Sequence, residues 1–148
     1  MKELYTEIEI NASAEQVWQL LTDFANMDKW NPFIARASGQ VKPGERLEIY
    51  LNLPDGFGMT IKSTLTKVES NRELRWLGDP IVPGIFNGEH IFTIAPLSPD
   101  RVRFIHREEF RGWLVPLILR MVGKKIKRGF EAMNQALKVE AEKQYQAT

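Results

Sequence analysis

The sequence has no cysteine, which excludes a disulfide framework, a thiol nucleophile and any thiolate-held metal. It has no excess of one charge either. Twenty Lys and Arg stand against 19 Asp and Glu, a net charge of +1, so there is no long-range field to draw in nucleic acid. No run of 18 apolar residues occurs, and none spans a bilayer. The opening Met1-Lys2-Glu3-Leu4-Tyr5 enters an alternating pattern without the apolar stretch of a signal peptide, so a cytoplasmic protein is expected. Repeats, low-complexity tracts and linkers are missing, and 148 residues suit one domain with a single core. The one glycine-rich piece, Gly56-Phe57-Gly58, lies between strands and not before a helix, so no nucleotide loop is read there. Gly-x-Ser-x-Gly, His-Glu-x-x-His and calcium-loop patterns are also absent. No cofactor is expected.

What is present is a pattern that changes period twice. Leu4, Thr6, Ile8 and Ile10 share one parity, which predicts a strand over Leu4–Asn11 with one covered face. Ser13 with Gln16 three residues on makes a capping box ahead of Val17, Leu20, Leu21 and Phe24. Thr22-Asp23 offers a fresh cap for a second short helix through Met27, and Pro32 stops it. Strands follow at 46–53, 59–68, 73–77, 85–95 and 101–110. Their connections are too short for a helical crossover, so the sheet is antiparallel and sequentially paired. Last, Leu119, Val122, Ile126, Phe130, Met133 and Leu137 recur at helical spacing. Pro116 places the start of that helix near Val115, and it is expected to reach about Glu142. Six one-sided strands need a cover, and a strongly bent sheet gripping this helix supplies it.

Such a fold encloses more volume than a flat sheet, filled by aromatic side chains or left as an apolar cavity. On the longest hairpin Phe86, Gly88, His90, Phe92 and Ile94 share a parity, as do Val102, Phe104, His106, Glu108 and Phe110. A turn centred near Ser98 would pair Phe92 with Phe104 and His90 with His106, with Glu108 one step along and Trp76 on a neighbouring strand. Four roles are open to this cluster: a buried hydrogen-bonded network, a polar spot orienting a ligand, acid–base catalysis by His90 or His106 with Glu108, and a two-histidine, one-carboxylate metal site. Trp30 reads as a core plug or a pocket wall. Glu89, Arg75, Arg103 and Arg107 fall on the solvated parity. Apolar residues near turns, Phe33-Ile34, Phe57, Ile81-Val82 and Trp113-Leu114-Val115, suggest a greasy rim. With Arg120, Lys124, Lys125, Lys127 and Arg128 beside it, this rim leaves contact with an anionic surface open.

Val17-Trp18-Gln19-Leu20-Leu21-Thr22-Asp23-Phe24, Trp30-Asn31-Pro32-Phe33-Ile34, Gly39, Gly44, Leu74-Arg75-Trp76-Leu77-Gly78, Phe86-Asn87-Gly88-Glu89-His90-Ile91-Phe92 and Glu109-Phe110-Arg111-Gly112 carry a resemblance. Over residues 3–142 the chain resembles the SRPBCC (START-like) superfamily, in particular the bacterial polyketide cyclase/dehydrase and lipid transport proteins. That resemblance implies an α+β helix-grip fold: a curved antiparallel sheet of six or seven strands around a long C-terminal helix, two short helices after the first strand, and a deep hydrophobic cavity. Members bind lipids, sterols, polyketides or plant hormones, and some catalyse cyclisation or aromatisation. No catalytic motif of the cyclases maps onto this chain. The expectation is therefore a small hydrophobic ligand bound by Trp30, Trp76, Phe86, His90, Phe92, Phe104, His106, Glu108, Phe110 and Phe130. A cyclase-type enzyme with a cavity histidine and a membrane- or partner-associated accessory protein are the alternatives, and monomer and homodimer are both open.

Overall fold

A computed structural model describes residues 2–80 and 82–148, so Ile81 of the expected apolar rim lies outside the described residues. Strand β1 (Lys2–Ile10) leads through Ser13 into helix α1 (Ala14–Thr22) and a 3-10 helix (Phe24–Lys29). Six strands follow: β2 (Ile34–Ser38), β3 (Arg46–Asn52), β4 (Gly58–Glu69), β5 (Glu73–Gly78), β6 (Asn87–Ser98) and β7 (Arg101–Arg111). Helix α2 (Val115–Gln146) ends the chain.

Each boundary has a local cause. Ser13 Oγ accepts from Gln16 N at 3.1 Å, which satisfies one free amide of the first turn of α1. The reciprocal half of the expected capping box, Ser13 N donating to Gln16 Oε1, does not form among the described residues; the Gln16 side chain is directed to α2, where its Nε2 donates to Gln144 Oε1 at 2.9 Å. Asp23 does not cap the 3-10 helix through its side chain either; its carboxylate accepts from Asn26 Nδ2. Pro116 sits in the first turn of α2, where its missing amide costs nothing.

The seven strands form one antiparallel, curled sheet in the order β1-β7-β6-β5-β4-β3-β2. From β2 to β7 the pairing is sequential, and β1 adds to β7. The segment with α1 and the 3-10 helix therefore carries the chain from one sheet edge to the other. Strand β2 is an addition to the six expected from alternation.

The β6–β7 register also differs from expectation. His90 opposes Glu108, Phe92 opposes His106 and Ile94 opposes Phe104. The strands run on to a Ser98–Arg101 pair, with a bulge between Pro96 and Ser98, so the turn falls at Pro99-Asp100 and is not centred at Ser98. The shift is two residues, so every side chain keeps its face.

Helix α2 lies in the concave face against β1 and β7. Its 32 residues span about 48 Å. The two halves of its apolar stripe are covered unequally. Phe130, Met133, Leu137 and Ala141 have no exposed surface, while Leu119, Val122 and Ile126 are half-buried. The molecule is solid at one end and open at the other.

Candidate functional site

Under the less covered half of α2 lies a cavity of about 470 Å³. Its wall is mostly apolar, built by Ile49, Leu51 and Leu53 of the β3 side, Met59 and Ile61 of β4, Trp76 of β5, Phe86, and Ile118, Val122 and Ile126 of α2. Phe33 forms the inner end. Asn31 holds that residue in place, since its Oδ1 accepts from both Phe33 N and Ile34 N at 2.9 Å. A Cβ on Gly129 would stand 2.5 Å from the Phe33 ring, so only glycine lets α2 approach the ring this closely.

Three polar side chains interrupt the deep wall: Ser63, His90 and Glu108. Ser63 Oγ is buried without a hydrogen-bond partner among the described residues. The Glu108 carboxyl fits because position 88 has no side chain, a Cβ there meeting Glu108 Oε2 at 2.3 Å. Burial pushes the Glu108 carboxyl up to about 8, so it carries a proton at neutral pH. His90 Nδ1 stands 3.7 Å from Glu108 Oε1, beyond hydrogen-bond reach.

Behind this wall the polar groups are fully partnered. His90 Nε2 and His106 Nε2 are 2.6 Å apart. His106 Nδ1 meets Asn134 Oδ1 at 2.9 Å, Asn134 Nδ2 donates to Thr6 Oγ1 at 2.9 Å, and Thr6 Oγ1 donates to the His106 carbonyl at 2.7 Å. Phe130 stacks on His106 with ring centroids 4.1 Å apart, and Trp76 lies against His90 at 5.4 Å. Enclosed in this way, both imidazoles resist protonation. Burial, with His106 nearby, holds His90 well below its ordinary 6.5. Burial lowers His106 to about 3, against the opposing effect of its bond to Asn134.

At the mouth, Lys125 Nζ of α2 donates to Asp55 Oδ2 at 2.6 Å, tying the β3–β4 hairpin tip to the helix. The hydrogen bond to Lys125, with that from Phe57 N, lowers the Asp55 carboxyl. Phe57, also part of the lining, is exposed, as are Trp113 ahead of α2 and Leu117 and Met121 in its first turns.

Of the ten residues expected to touch a ligand, Trp76, Phe86, His90 and Glu108 line the cavity. The other six do not. Phe92, Phe104, His106 and Phe130 are fully buried in the solid end, and Phe110 packs behind the wall on Phe86 at 5.4 Å. Trp30 packs on the core outside the cavity, its indole Nε1 buried. The two histidines do meet, but diagonally across the strand pair, and Glu108 faces His90 directly. No group of three His, Asp or Glu among the described residues is placed to hold a metal ion. Sequence reasoning passed over Ser63, Asp55 and Asn134. Ser63 shares the parity of Ile61 and Leu65, which was the signal available for it. Among the described residues no helix is long and apolar enough to cross a membrane.

Comparison with known proteins agrees with this architecture. The profile of the polyketide cyclase / dehydrase and lipid transport family matches residues 1–142. No curated protein matches the chain. Among solved structures, the Zhui aromatase/cyclase from Streptomyces sp. R1128 superposes with a TM-score of 0.78 at 14% identity, over 97% of this chain and 94% of that one. A START superfamily protein from Mycobacterium smegmatis gives 0.73 at 19% identity, over 96% and 98%. The di-domain ARO/CYC BexL from the BE-7585A biosynthetic pathway gives 0.73 at 17% identity; the match covers 95% of this chain and 47% of that one. At such identities the likeness is one of fold, but the profile match extends over nearly the whole sequence, and the chain belongs to the polyketide cyclase / dehydrase and lipid transport family.

Proposed function

We propose that this protein binds a small, largely apolar molecule in the cavity beneath α2, oriented through one polar group at His90 and Glu108. One observation carries the reading: an apolar cavity of about 470 Å³ whose wall holds two facing polar groups too far apart to satisfy each other. Burying about 200 Å² of ligand apolar surface supplies roughly 5 kcal/mol at 25 cal/mol per Å². The polar pair then adds orientation more than affinity. The family match and the folds it shares support a ligand-binding role of this kind.

Native mass spectrometry of protein purified from its own host without detergent tests this directly, followed by titration with apolar bicyclic probes monitored by tryptophan fluorescence, to which Trp76 in the cavity wall contributes beside Trp18, Trp30 and Trp113. A bound adduct or saturable quenching, lost in the cavity-filling variant Ile61→Trp, is expected. No adduct and no saturable signal with any probe refutes the proposal.

A second reading has one observation in its favour. The His90 ring lines the cavity and its Nδ1 has no hydrogen-bond partner among the described residues, the arrangement needed to take a proton from a bound polyketide-like substrate, with the Glu108 carboxyl as acid. The low proton affinity of His90 makes it a poor base at neutral pH, so binding leads. Turnover that survives His90→Phe and His106→Phe together would sink the enzymatic reading.

A further inference from the structure

The hydrogen bonds behind the cavity wall run in one direction, set at the end farthest from the cavity. A threonine hydroxyl has a single proton, and Thr6 gives it to the His106 backbone carbonyl, 2.7 Å away. Toward Asn134 the Thr6 oxygen can therefore only accept, so the Asn134 amide must present its NH2 there, at 2.9 Å. That fixes the amide, and its Oδ1 faces His106 Nδ1 at 2.9 Å. His106 Nδ1 must donate. Because His106 is neutral in this enclosure, its Nε2 holds only a lone pair. His90 Nε2, 2.6 Å away, is then the donor of that contact. His90 is neutral as well, which leaves its Nδ1 a bare acceptor at the cavity wall.

Opposite this acceptor stands the Glu108 carboxyl, with Oε1 3.7 Å away and no hydrogen-bond partner among the described residues. A group that bridges the two from the cavity side meets an acceptor at one and an O–H donor at the other. A hydroxyl satisfies both. A ketone can accept from Glu108 but has no proton for His90, and a carboxylate brings a further acceptor to a site that already has one.

We infer that the polar end of the cavity selects ligands bearing a hydroxyl over the matching ketones and carboxylates, and that Thr6 and Asn134 are positioning residues that set this preference without touching the ligand. The inference rests on the binding role proposed above. It adds to that role the class of polar group the ligand presents and the origin of the choice in the backbone carbonyl of His106.

The test uses the full chain and two probes with one bicyclic skeleton, 1-tetralol and 1-tetralone, titrated by calorimetry, with the imidazole tautomers read by ring 15N NMR. The wild type is expected to bind the alcohol about tenfold more tightly than the ketone, the usual consequence of leaving one buried acceptor unpaired. Its spectra should show His90 protonated at Nε2 and His106 at Nδ1. Asn134→Leu removes the acceptor at His106 Nδ1, and the pair is free to reverse, with His90 then presenting an N–H to the cavity. The alcohol preference should fall to near parity or invert, and the tautomer signals should change with it. Thr6→Val, which frees the Asn134 amide to turn, serves where Asn134→Leu does not fold. Equal binding of the two probes to the wild type, a wild-type His90 protonated at Nδ1, or an unchanged ratio in a folded Asn134→Leu protein each overturns the selection while leaving the binding role intact. Failure of the wild type to bind either probe overturns the selection, and together with the absence of any adduct in native mass spectrometry it overturns the binding role as well.

Discussion

Three ionisable residues under α2 set opposing pH dependences of stability. Glu108 is raised from 4.5 to about 8, so between those values the unfolded chain has lost a proton that the native state keeps, and stability falls as pH rises. The histidines act the other way. His106 is lowered from 6.5 to about 3 and His90 well below 6.5, so below 6.5 the unfolded chain takes up two protons that the native state refuses. Their stabilisation is complete above about pH 6.5 and is lost as pH falls. At about 1.4 kcal/mol per proton per pH unit, the histidines outweigh Glu108 between about pH 4.5 and 6.5, and Glu108 acts alone above that. Stability should therefore peak near pH 6.5 and drop by at most about 2 kcal/mol on going to pH 8. The figure is an upper bound because the Glu108 side chain is 19% exposed to the cavity. The exposed carboxylates lowered by ion pairs, Asp55 and Asp79, add their loss only below about pH 4.5. Urea midpoints from pH 5 to 8 check this. In Glu108→Gln the decline above pH 6.5 should vanish, and a decline that persists would place its origin elsewhere.

At the scale of elements, the site depends on how closely β6 and β7 approach, and Gly88 is where that closeness matters. A Cβ at position 88 would lie 2.3 Å from Glu108 Oε2 and 3.0 Å from its Cδ. Gly88→Ala should cost about 1–3 kcal/mol, the usual range for overpacking. In a Glu108→Ala background the same change should be almost free. A double-mutant cycle by chemical denaturation is then expected to show coupling above about 1 kcal/mol, and additive effects would mean that the carboxyl does not occupy this space. The same hairpin shows what was legible in the sequence. Parity alone placed Phe92, Phe104, His90, His106 and Glu108 on the inner face, and the helical stripe from Leu119 to Leu137 placed α2. Register was out of reach because Pro96 and Pro99 both signal a turn, and the bulge that chooses between them is a tertiary feature. Strand β2 escaped notice because Ile34–Ser38 is only five residues long, begins at Phe33-Ile34 near a turn, and has a bulge of its own after Ile34. Helix α2 outlasts its last buried residue, Ala141, because contacts beyond the stripe hold its end: Tyr145 bonds Asp100 and Gln16 bonds Gln144. Depth was also hidden. Alternation separates inside from outside, but the unequal curl of the sheet around α2 decides whether an inward residue such as Phe86 meets open space or, like Phe104, meets packed side chains.

For the molecule as a whole, the question is how a ligand reaches the cavity beneath α2. The solid end cannot open without exposing Phe92, Phe104, Phe130 and Met133, all fully buried. The other end is held by less. The tip of the β3–β4 hairpin carries Asp55 and an exposed Phe57, and it reaches α2 through the Lys125–Asp55 pair, whose side chains are 46% and 40% exposed. So exposed a pair adds little to stability, and it can break without unfolding the domain. Segments that move for ligand passage come from this weakly held part of a structure. Lys125→Glu should therefore raise the association and dissociation rates of 1-tetralol together, by about threefold or more, while its Kd changes less and Tm shifts by no more than about 3 °C. The charge-swapped protein Lys125→Asp with Asp55→Lys should return both rates toward the wild type. Because the pair is exposed, raising salt from 0.05 to 1 M should reproduce part of the acceleration in the wild type and none of it in Lys125→Glu. Stopped-flow tryptophan fluorescence, to which Trp76 in the cavity wall contributes, measures all of these rates. Rates unmoved by both the substitution and salt would show that entry lies elsewhere, and the 82–86 segment beside Phe86 would then be the next place to open.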